Sequence, residues 1–376
     1  MPSTGIAETF DVVGPAESGY LSRLTDFELR AAPAVPLARL LERPTVSIYA
    51  LDDATRRVVL VETPADVDLG RAPFYYVAQR QTATRVYTLP YDVFATLASD
   101  RPDPSPVLIY SVGRCGSTLL CHALRGYSDA QTLSEPDIFN HTTGIREPDR
   151  SRDAEIVALL RGWARFTFRS GSSRSVVVKF ASYSIHIADL IARTMPGARC
   201  LFLYRDLPGW IRSIGRMQGL RRPDAPTRAD QILTTDLTYG TYRRDRFNPA
   251  LRAVDRPVTL LEASVLNWTS AMGSYSARHD DGRVPTALGY DALVGEPAAA
   301  LGAAAGACGL PLVSEPAGLA AFECDSQAGT TLSREALAAD RVGELTAADV
   351  RHALDFAARH GFAEDACARL PGRLLS

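Results

Sequence analysis

Lysine is almost missing from this chain: of 41 basic residues, only Lys179 is a lysine. A nucleotide loop of the Gly-Lys-Ser/Thr type is therefore excluded, because Lys179 ends the apolar run Ser175-Val176-Val177-Val178-Lys179 instead of sitting in a glycine-rich turn. Cysteine is also sparse. The six cysteines, at 115, 121, 200, 308, 324 and 367, form no Cys-x2-Cys pair, so neither a metal framework nor a disulfide framework is indicated. Free thiols in a reducing cytoplasm are expected, with no metal. No apolar run reaches ~20 residues, so no membrane span is expected. The first twenty residues carry acids and no leading basic residues, and do not read as a signal peptide. A net charge of −2 gives no global basic field for nucleic acid. No internal repeat is evident.

What is present begins with Val107-Leu108-Ile109-Tyr110-Ser111-Val112-Gly113-Arg114-Cys115-Gly116-Ser117-Thr118-Leu119-Leu120. An apolar run, a turn with two glycines and an apolar-periodic segment read as strand, anion-cradling loop and helix start. Glycine lets backbone N–H groups approach an anion closely. Ser117 and Thr118 add hydroxyl donors, and Arg114 adds a guanidinium fork. A Cys-x5-Arg loop fails, because Cys121 stands where Arg is needed, and Gly-x-Ser-x-Gly is absent. A glycine turn that binds nothing is the alternative. A second strand, Cys200 to Tyr204, runs into Arg205-Asp206-Leu207-Pro208-Gly209-Trp210-Ile211-Arg212-Ser213. Asp206 or Leu207 can cap a helix there, and Pro208 suits its first turn. Arg205 then sits at a strand's carboxyl end, where open α/β sheets bind ligands. Arg205 and Ser213 can grip one phosphate from two sides.

Together these segments resemble the sulfotransferases that use 3′-phosphoadenosine 5′-phosphosulfate (PAPS). Arg114-Cys115-Gly116-Ser117-Thr118 is similar to that family's 5′-phosphosulfate loop. Arg205-Asp206 with Ser213 is similar to its 3′-phosphate motif. Leu288-Gly289-Tyr290-Asp291-Ala292-Leu293-Val294-Gly295-Glu296-Pro297 resembles a third motif, with Asp-Ala where the family has Glu-Asp. The resemblance spans roughly residues 105–335. It implies a P-loop-like α/β fold, PAPS as co-substrate and sulfuryl transfer to a hydroxyl or amine. It also implies nucleotide contacts from Tyr290 and, more loosely, from Ser333 and Arg334. In several branches a lysine follows the strand corresponding to Ser175–Lys179. The functional reading of Lys179 is a compact ammonium aimed at the transferring group; a leftover strand-end lysine is the alternative.

The organisation expected is a β-rich N-terminal appendage over 1–101, a stiff Pro-rich linker around Pro102–Pro106 and a main α/β domain over 105–376. Residues 1–30 show little periodicity. Segments 45–51 and 57–61 read as a hairpin, with further strands at 74–77 and 84–89 and a short helix at 91–97. The appendage reads as a packing or homodimerisation element; a lid over the acceptor site is the alternative. In the main domain, strands at 107–111, 176–180 and 200–204 alternate with helices near 118–125, 153–168, 185–194 and 208–218. That rhythm predicts a parallel sheet covered by helices on both faces. Residues 219–248 read as a substrate-side insertion, 262–279 and 298–308 as helices, and 347–369 as an amphipathic helix.

Sulfuryl transfer needs in-line placement, neutralisation of the leaving oxygens and a base for the acceptor. Arg114 and Lys179 are the expected cations. Glu135, in Ser134-Glu135-Pro136, is the expected base, since a carboxylate on a partly apolar cleft wall is suited to take a proton. Some sulfotransferases carry Glu-Pro there. His141 is the runner-up and His122 the third; His186 reads as a helix-start residue. The acceptor class stays open among small molecules, carbohydrates and lipids. A P-loop kinase or NTPase is the first alternative, lacking its loop lysine and its acidic Mg²⁺ ligand. A non-catalytic nucleotide-binding protein on the same fold is the second.

Overall fold

Residues 5–15, 21–96, 105–169, 175–220, 232–233, 238–239, 242–243, 249–252, 254, 256–339, 344–363 and 365–375 are described in this computed structural model. At its centre lies the strand Val107–Ser111, buried along its whole length. Successive strand side chains point to opposite faces, so this burial means that both faces of the sheet are covered. Strand order is Thr286–Gly289, Arg199–Tyr204, Val107–Ser111, Val176–Lys179, Gln131–Ser134, with every pairing parallel. Near-continuous apolar runs such as Val107–Tyr110 and Leu201–Tyr204 are what a doubly covered parallel sheet requires. The chain leaves the central strand towards one edge and later returns to its other side. The crevice at the carboxyl end of Val107–Ser111 is therefore a topological switch point.

The expected helices are present as Ser117–Ser128, Asp153–Thr167, Leu207–Gln218, Leu260–Asp280 and Pro297–Ala307. The segment near 185–194 is a 3-10 turn, Ser182–Ile187, followed by the helix Ala188–Thr194. The last long helix, Ala347–Arg359, is shorter than the periodicity suggests. Its turn ends at Gly361, whose φ of 85° is left-handed.

The appendage is a five-stranded antiparallel sheet in the order Phe27–Pro36, Ile6–Pro15, Arg85–Pro90, Arg57–Glu62, Val46–Asp52. Two expectations fail here. The weakly periodic start is a ten-residue strand, Ile6–Pro15, paired on both sides, because neighbours on each flank satisfy its backbone. Phe74–Val77 is not a strand; Tyr75–Thr82 is a helix whose buried side chains are Tyr75 and Gln79, one turn apart. Gln79 Nε2 donates to Ser47 Oγ at 2.7 Å and to the Ile48 carbonyl at 3.0 Å, fastening the helix to the sheet. This packing overrides the β-propensity of the aromatic run.

The two sheets share apolar packing. Val46, Ile48, Leu51, Leu60, Leu89 and Phe94 belong to the same buried cluster as Leu108, Ile109, Phe139 and Trp163. Arg152 grips Asp53 at 2.6 and 2.8 Å, and Ser22 N donates to Asp137 Oδ2 at 2.7 Å across the same boundary. The linker residues 102–104 and most of the segment 219–248 lie outside the described residues. Among the described residues, no helix is long and apolar enough to cross a membrane.

The helix behind the loop is pressed closely on Glu315–Leu319. A Cβ on Gly126 would lie 2.2 Å from the Ala317 carbonyl oxygen, and one on Gly318 would lie 2.9 Å from Tyr127 Cβ. Gly126→Ala should gain about 1 kcal/mol of helix propensity yet lose about 1–3 kcal/mol to overpacking. Urea denaturation is expected to show a net loss of stability; a more stable variant would mean that the two helices part freely.

Candidate functional site

The loop between the central strand and its helix is built from left-handed residues. Gly113, Arg114 and Gly116 have φ of 73°, 50° and 78°. Arg114 pays for that conformation, since a side chain is disfavoured there. A Cβ on Gly116 would meet Leu293 and Tyr290 at 3.1 Å, so glycine lets the loop pass beneath the Tyr290 ring. Trp210 Nε1 donates to the Gly113 carbonyl at 2.9 Å and fixes the loop from the neighbouring helix. The helix Ser117–Ser128 has no side-chain cap at its start. Its first N–H groups and positive dipole end face the cleft together with Ser117 and Thr118.

The second motif folds as its local chemistry requires. Asp206 caps the helix Leu207–Gln218, accepting from Gly209 N at 3.0 Å, and Pro208 occupies the first turn. The Arg205 carbonyl accepts from Trp268 Nε1 at 2.9 Å. The Arg205 guanidinium lies 4.3 Å from the centre of the Tyr290 ring, and its buried Nε has no hydrogen-bond partner. Arg114 Nε donates to Ser213 Oγ at 3.3 Å, joining the two motifs directly.

Lys179 and Glu135 meet at the ends of adjacent parallel strands. Glu135 N donates to the Lys179 carbonyl at 2.6 Å, and the Lys179 ammonium contacts Glu135 Oε1. The Lys179 side chain is 3% exposed and that of Glu135 19%, so the ammonium is buried and the carboxylate reaches the cleft. Glu135 is left-handed, with φ 58°. It follows the strand Gln131–Ser134, which the sequence reading lacked. Phe74 closes the pair from the appendage, with Lys179 Nζ 5.8 Å from its ring centre.

All of this lines one cleft of about 1140 Å³. Its described lining holds six cations, Arg80, Arg114, Lys179, Arg205, Arg216 and Arg334, against two carboxylates, Glu135 and Asp325. Among the described residues neither Arg114 nor Arg205 forms an ion pair. Burial, and then the charges of Arg205 and Arg216, pull the Arg114 pKa below its ordinary value. An anion between these groups would relieve that repulsion.

Arg114, Gly116, Ser117, Thr118, Glu135, Lys179, Arg205, Ser213, Tyr290 and Arg334 all line the cleft. Other candidates do not. The Cys115 thiol points into the core at 3.5 Å from the Leu203 carbonyl, and burial pushes its pKa up to about 11, so Cys115 contributes backbone alone. Ser333 Oγ accepts from Ala336 N at 3.0 Å and starts a helix instead. His141 is 1% exposed, outside the cleft lining, with Nε2 3.7 Å from Asp137 Oδ2. It sits on a helix whose eight residues are all buried. His122 is also absent from the lining, and His186 bonds Ser274 Oγ at 2.9 Å.

The sequence reading missed several lining residues. Arg216 follows Ser213 by three residues on one helix, a spacing that puts both on one face. Gln327 Nε2 donates to Thr118 Oγ1 at 3.0 Å, so the Asp325–Leu332 loop covers the anion loop. Helix Tyr75–Thr82 supplies Tyr76, Val77, Arg80 and Gln81.

Burial lowers the His141 pKa, so the fold favours the neutral ring. The unfolded chain takes up a proton near pH 6.5 that the folded chain resists. His141 therefore supports full stability above about pH 6.5 and withdraws it as the pH falls below that value. His141→Gln should flatten the pH dependence of the urea midpoint between pH 7 and 5.5; equal slopes would contradict the assignment.

No protein-family model matches this chain, and no curated protein matches it. Among solved structures it is similar to the sulfotransferase domain from the curacin biosynthetic pathway, at 14% identity and a TM-score of 0.40, over 69% of this chain and 98% of that one. It is similar to the sulfotransferase domain of the Synechococcus PCC 7002 olefin synthase at 16% identity and a TM-score of 0.40, over 70% of this chain and 98% of that one. A sulfotransferase from Mycobacterium tuberculosis H37Rv is similar at 14% identity and a TM-score of 0.36, over 71% of this chain and 82% of that one.

Proposed function

We propose that this chain transfers a sulfuryl group from PAPS to a hydroxyl or amine of a small-molecule, carbohydrate or lipid acceptor. The observation that carries the reading is the charge of the cleft: among the described lining residues, six cations against two carboxylates, around an uncapped helix start, in a chain of net charge −2. Such a cleft suits a ligand with several separated negative charges. The orphaned Arg205 Nε supports the fit, because a buried donor without a partner is costly until a ligand supplies one. Six free thiols support a reducing cytoplasmic setting.

When bound, PAPS supplies an already activated sulfuryl group, so the protein's task is placement and charge. The N–H groups at the helix start, with Ser117 and Thr118, would hold the 5′-phosphate. Arg205 and Ser213 would hold the 3′-phosphate, with the Arg114–Ser213 bond setting the spacing between the two positions. Arg205 and Tyr290 form a stacked surface beside them. Arg334 is a further cation at the rim.

Glu135 and Lys179 would act as a unit. Before reaction the carboxylate balances the buried ammonium. Glu135 takes the proton of the attacking hydroxyl and becomes neutral. Lys179 is then left with an unbalanced charge at the moment when negative charge grows on the departing oxygen. The coupling requires direct contact of the two groups, which their adjacent strand ends provide.

Arg205→Ala should weaken binding of 3′-phosphoadenosine 5′-phosphate (PAP) about tenfold or more, on the scale of one charge-assisted contact. AMP binding should barely change. Calorimetry with both nucleotides checks this, and equal losses would remove Arg205 from the 3′-phosphate.

Turnover can be followed by mass detection of sulfated product from labelled PAPS over a panel of phenols, sugars and lipids. Glu135→Gln is expected to cost ~10²–10⁴ in rate with PAP affinity retained. Lys179→Arg should also fold and bind PAP but turn over slowly. Wild-type rates in either variant would dismantle the proposed unit.

A further inference from the structure

One wall of the cleft comes from the N-terminal region, from Phe74 and the helix packed on its sheet. Helix Tyr75–Thr82 turns Tyr75 and Gln79 onto that sheet and Tyr76, Val77, Arg80 and Gln81 into the cleft. The alternation follows from 3.6 residues per turn. Phe74, just before the helix, lies over Lys179. Tyr76 is close enough to Glu135 for the carboxylate, after burial, to raise the pKa of its phenol, so the hydroxyl stays a donor. The start of this helix thus borders the Glu135–Lys179 pair. Arg80 stands one turn further on, roughly 6 Å along the axis.

The helix's hydrogen-bonded attachment rests on Gln79, beside the buried Tyr75, while Arg80 lies within electrostatic reach of Tyr49 on the sheet and also lines the cleft. Its Nη1 is buried and has no hydrogen-bond partner. Among the described residues it forms no ion pair, although it lies in the lining of the cleft. A buried guanidinium donor without a carboxylate is costly unless an anion completes it. The groups before it on the same wall are aromatic and apolar: Phe74, Tyr76 and Val77.

We propose that the acceptor is an amphipathic anion, its hydroxyl-bearing apolar or aromatic end held against Phe74 and Tyr76 beside Glu135, and its acidic group held by Arg80. This inference rests on the sulfuryl-transfer reading and names the acceptor class for the same site. Arg80 is then the residue that sets acceptor specificity, and the N-terminal sheet is part of the acceptor site. An acid one helical turn from the reacting hydroxyl is spanned by a single aromatic ring with a short side chain.

Three phenols of matched shape test it with the full-length protein: 4-hydroxyphenylacetate (anionic), 4-methylphenol (neutral) and tyramine (cationic). Calorimetry measures the binding of each with and without PAP, and mass detection measures sulfated product from PAPS. The expected order of affinity and of kcat/KM is anion, then neutral, then cation, with at least a tenfold gap between the first two. Arg80→Gln should bring the anionic and neutral probes level, mainly through KM, and Arg80→Lys should keep part of the preference. The proposal is overturned by equal affinity for the three probes, by binding of none of them, or by an anion preference that survives Arg80→Gln. If the anionic probe binds through Arg80 but PAP does not bind and no sulfated product forms, the acceptor wall stands and the sulfuryl-transfer reading falls.

Discussion

One buried ammonium organises this molecule. Lys179 is the chain's single lysine and sits at the end of an interior strand with its side chain 3% exposed. An isolated charge in such a place would be strongly penalised. Glu135 removes the penalty, but only because the adjacent edge strand stops one residue before it. The left-handed turn at Glu135 then swings the carboxylate onto the ammonium. The ring of Phe74 adds cover from the other sheet. Three separate parts of the chain must be in register for one charge to be tolerated. The proposed mechanism draws on the same contact, because among the described residues the carboxylate that pairs with the cation also reaches the cleft.

The cations around the anion loop are held differently. Arg114 is held in a left-handed loop, lowered in pKa by burial and by its arginine neighbours, and donates to the uncharged Ser213 hydroxyl. Arg205 rests on the Tyr290 ring with a buried nitrogen unpaired. Two arginines away from the cleft are neutralised: Arg146 by Asp153 and Asp189, Arg152 by Asp53 and Glu155. Such pairing is what Arg114 and Arg205 lack among the described residues.

The legible parts of the fold and site were those whose signal is local. Gly113 to Thr118 announces a turn and a helix start within six residues, and Asp206-Leu207-Pro208 carries its own cap. The edge strands Gln131–Ser134 and Thr286–Gly289 escaped notice because they lack the continuous apolar run that marks the equally short Val176–Lys179. Phe74–Val77 was misread because aromatic residues favour strands, while the helix there is stabilised by Gln79 bonding to a distant strand. That error hid the cleft-facing residues Tyr76 and Arg80. His141 was a reasonable base by residue type, but only packing reveals that its whole helix is buried. Long-range burial is the information that a local pattern does not contain.

The central claim is that the cleft is built for a nucleotide with phosphates at both the 3′ and 5′ positions and not for a transferable γ-phosphate. Thermal melting of the full-length protein with PAP, set against ATP plus Mg²⁺, tests it most directly, since a ligand that binds only the folded chain raises the midpoint by mass action. The account predicts a rise with PAP that grows with concentration, and no comparable rise with ATP and Mg²⁺. An equal or larger shift with ATP and Mg²⁺, or no shift with PAP, would contradict it.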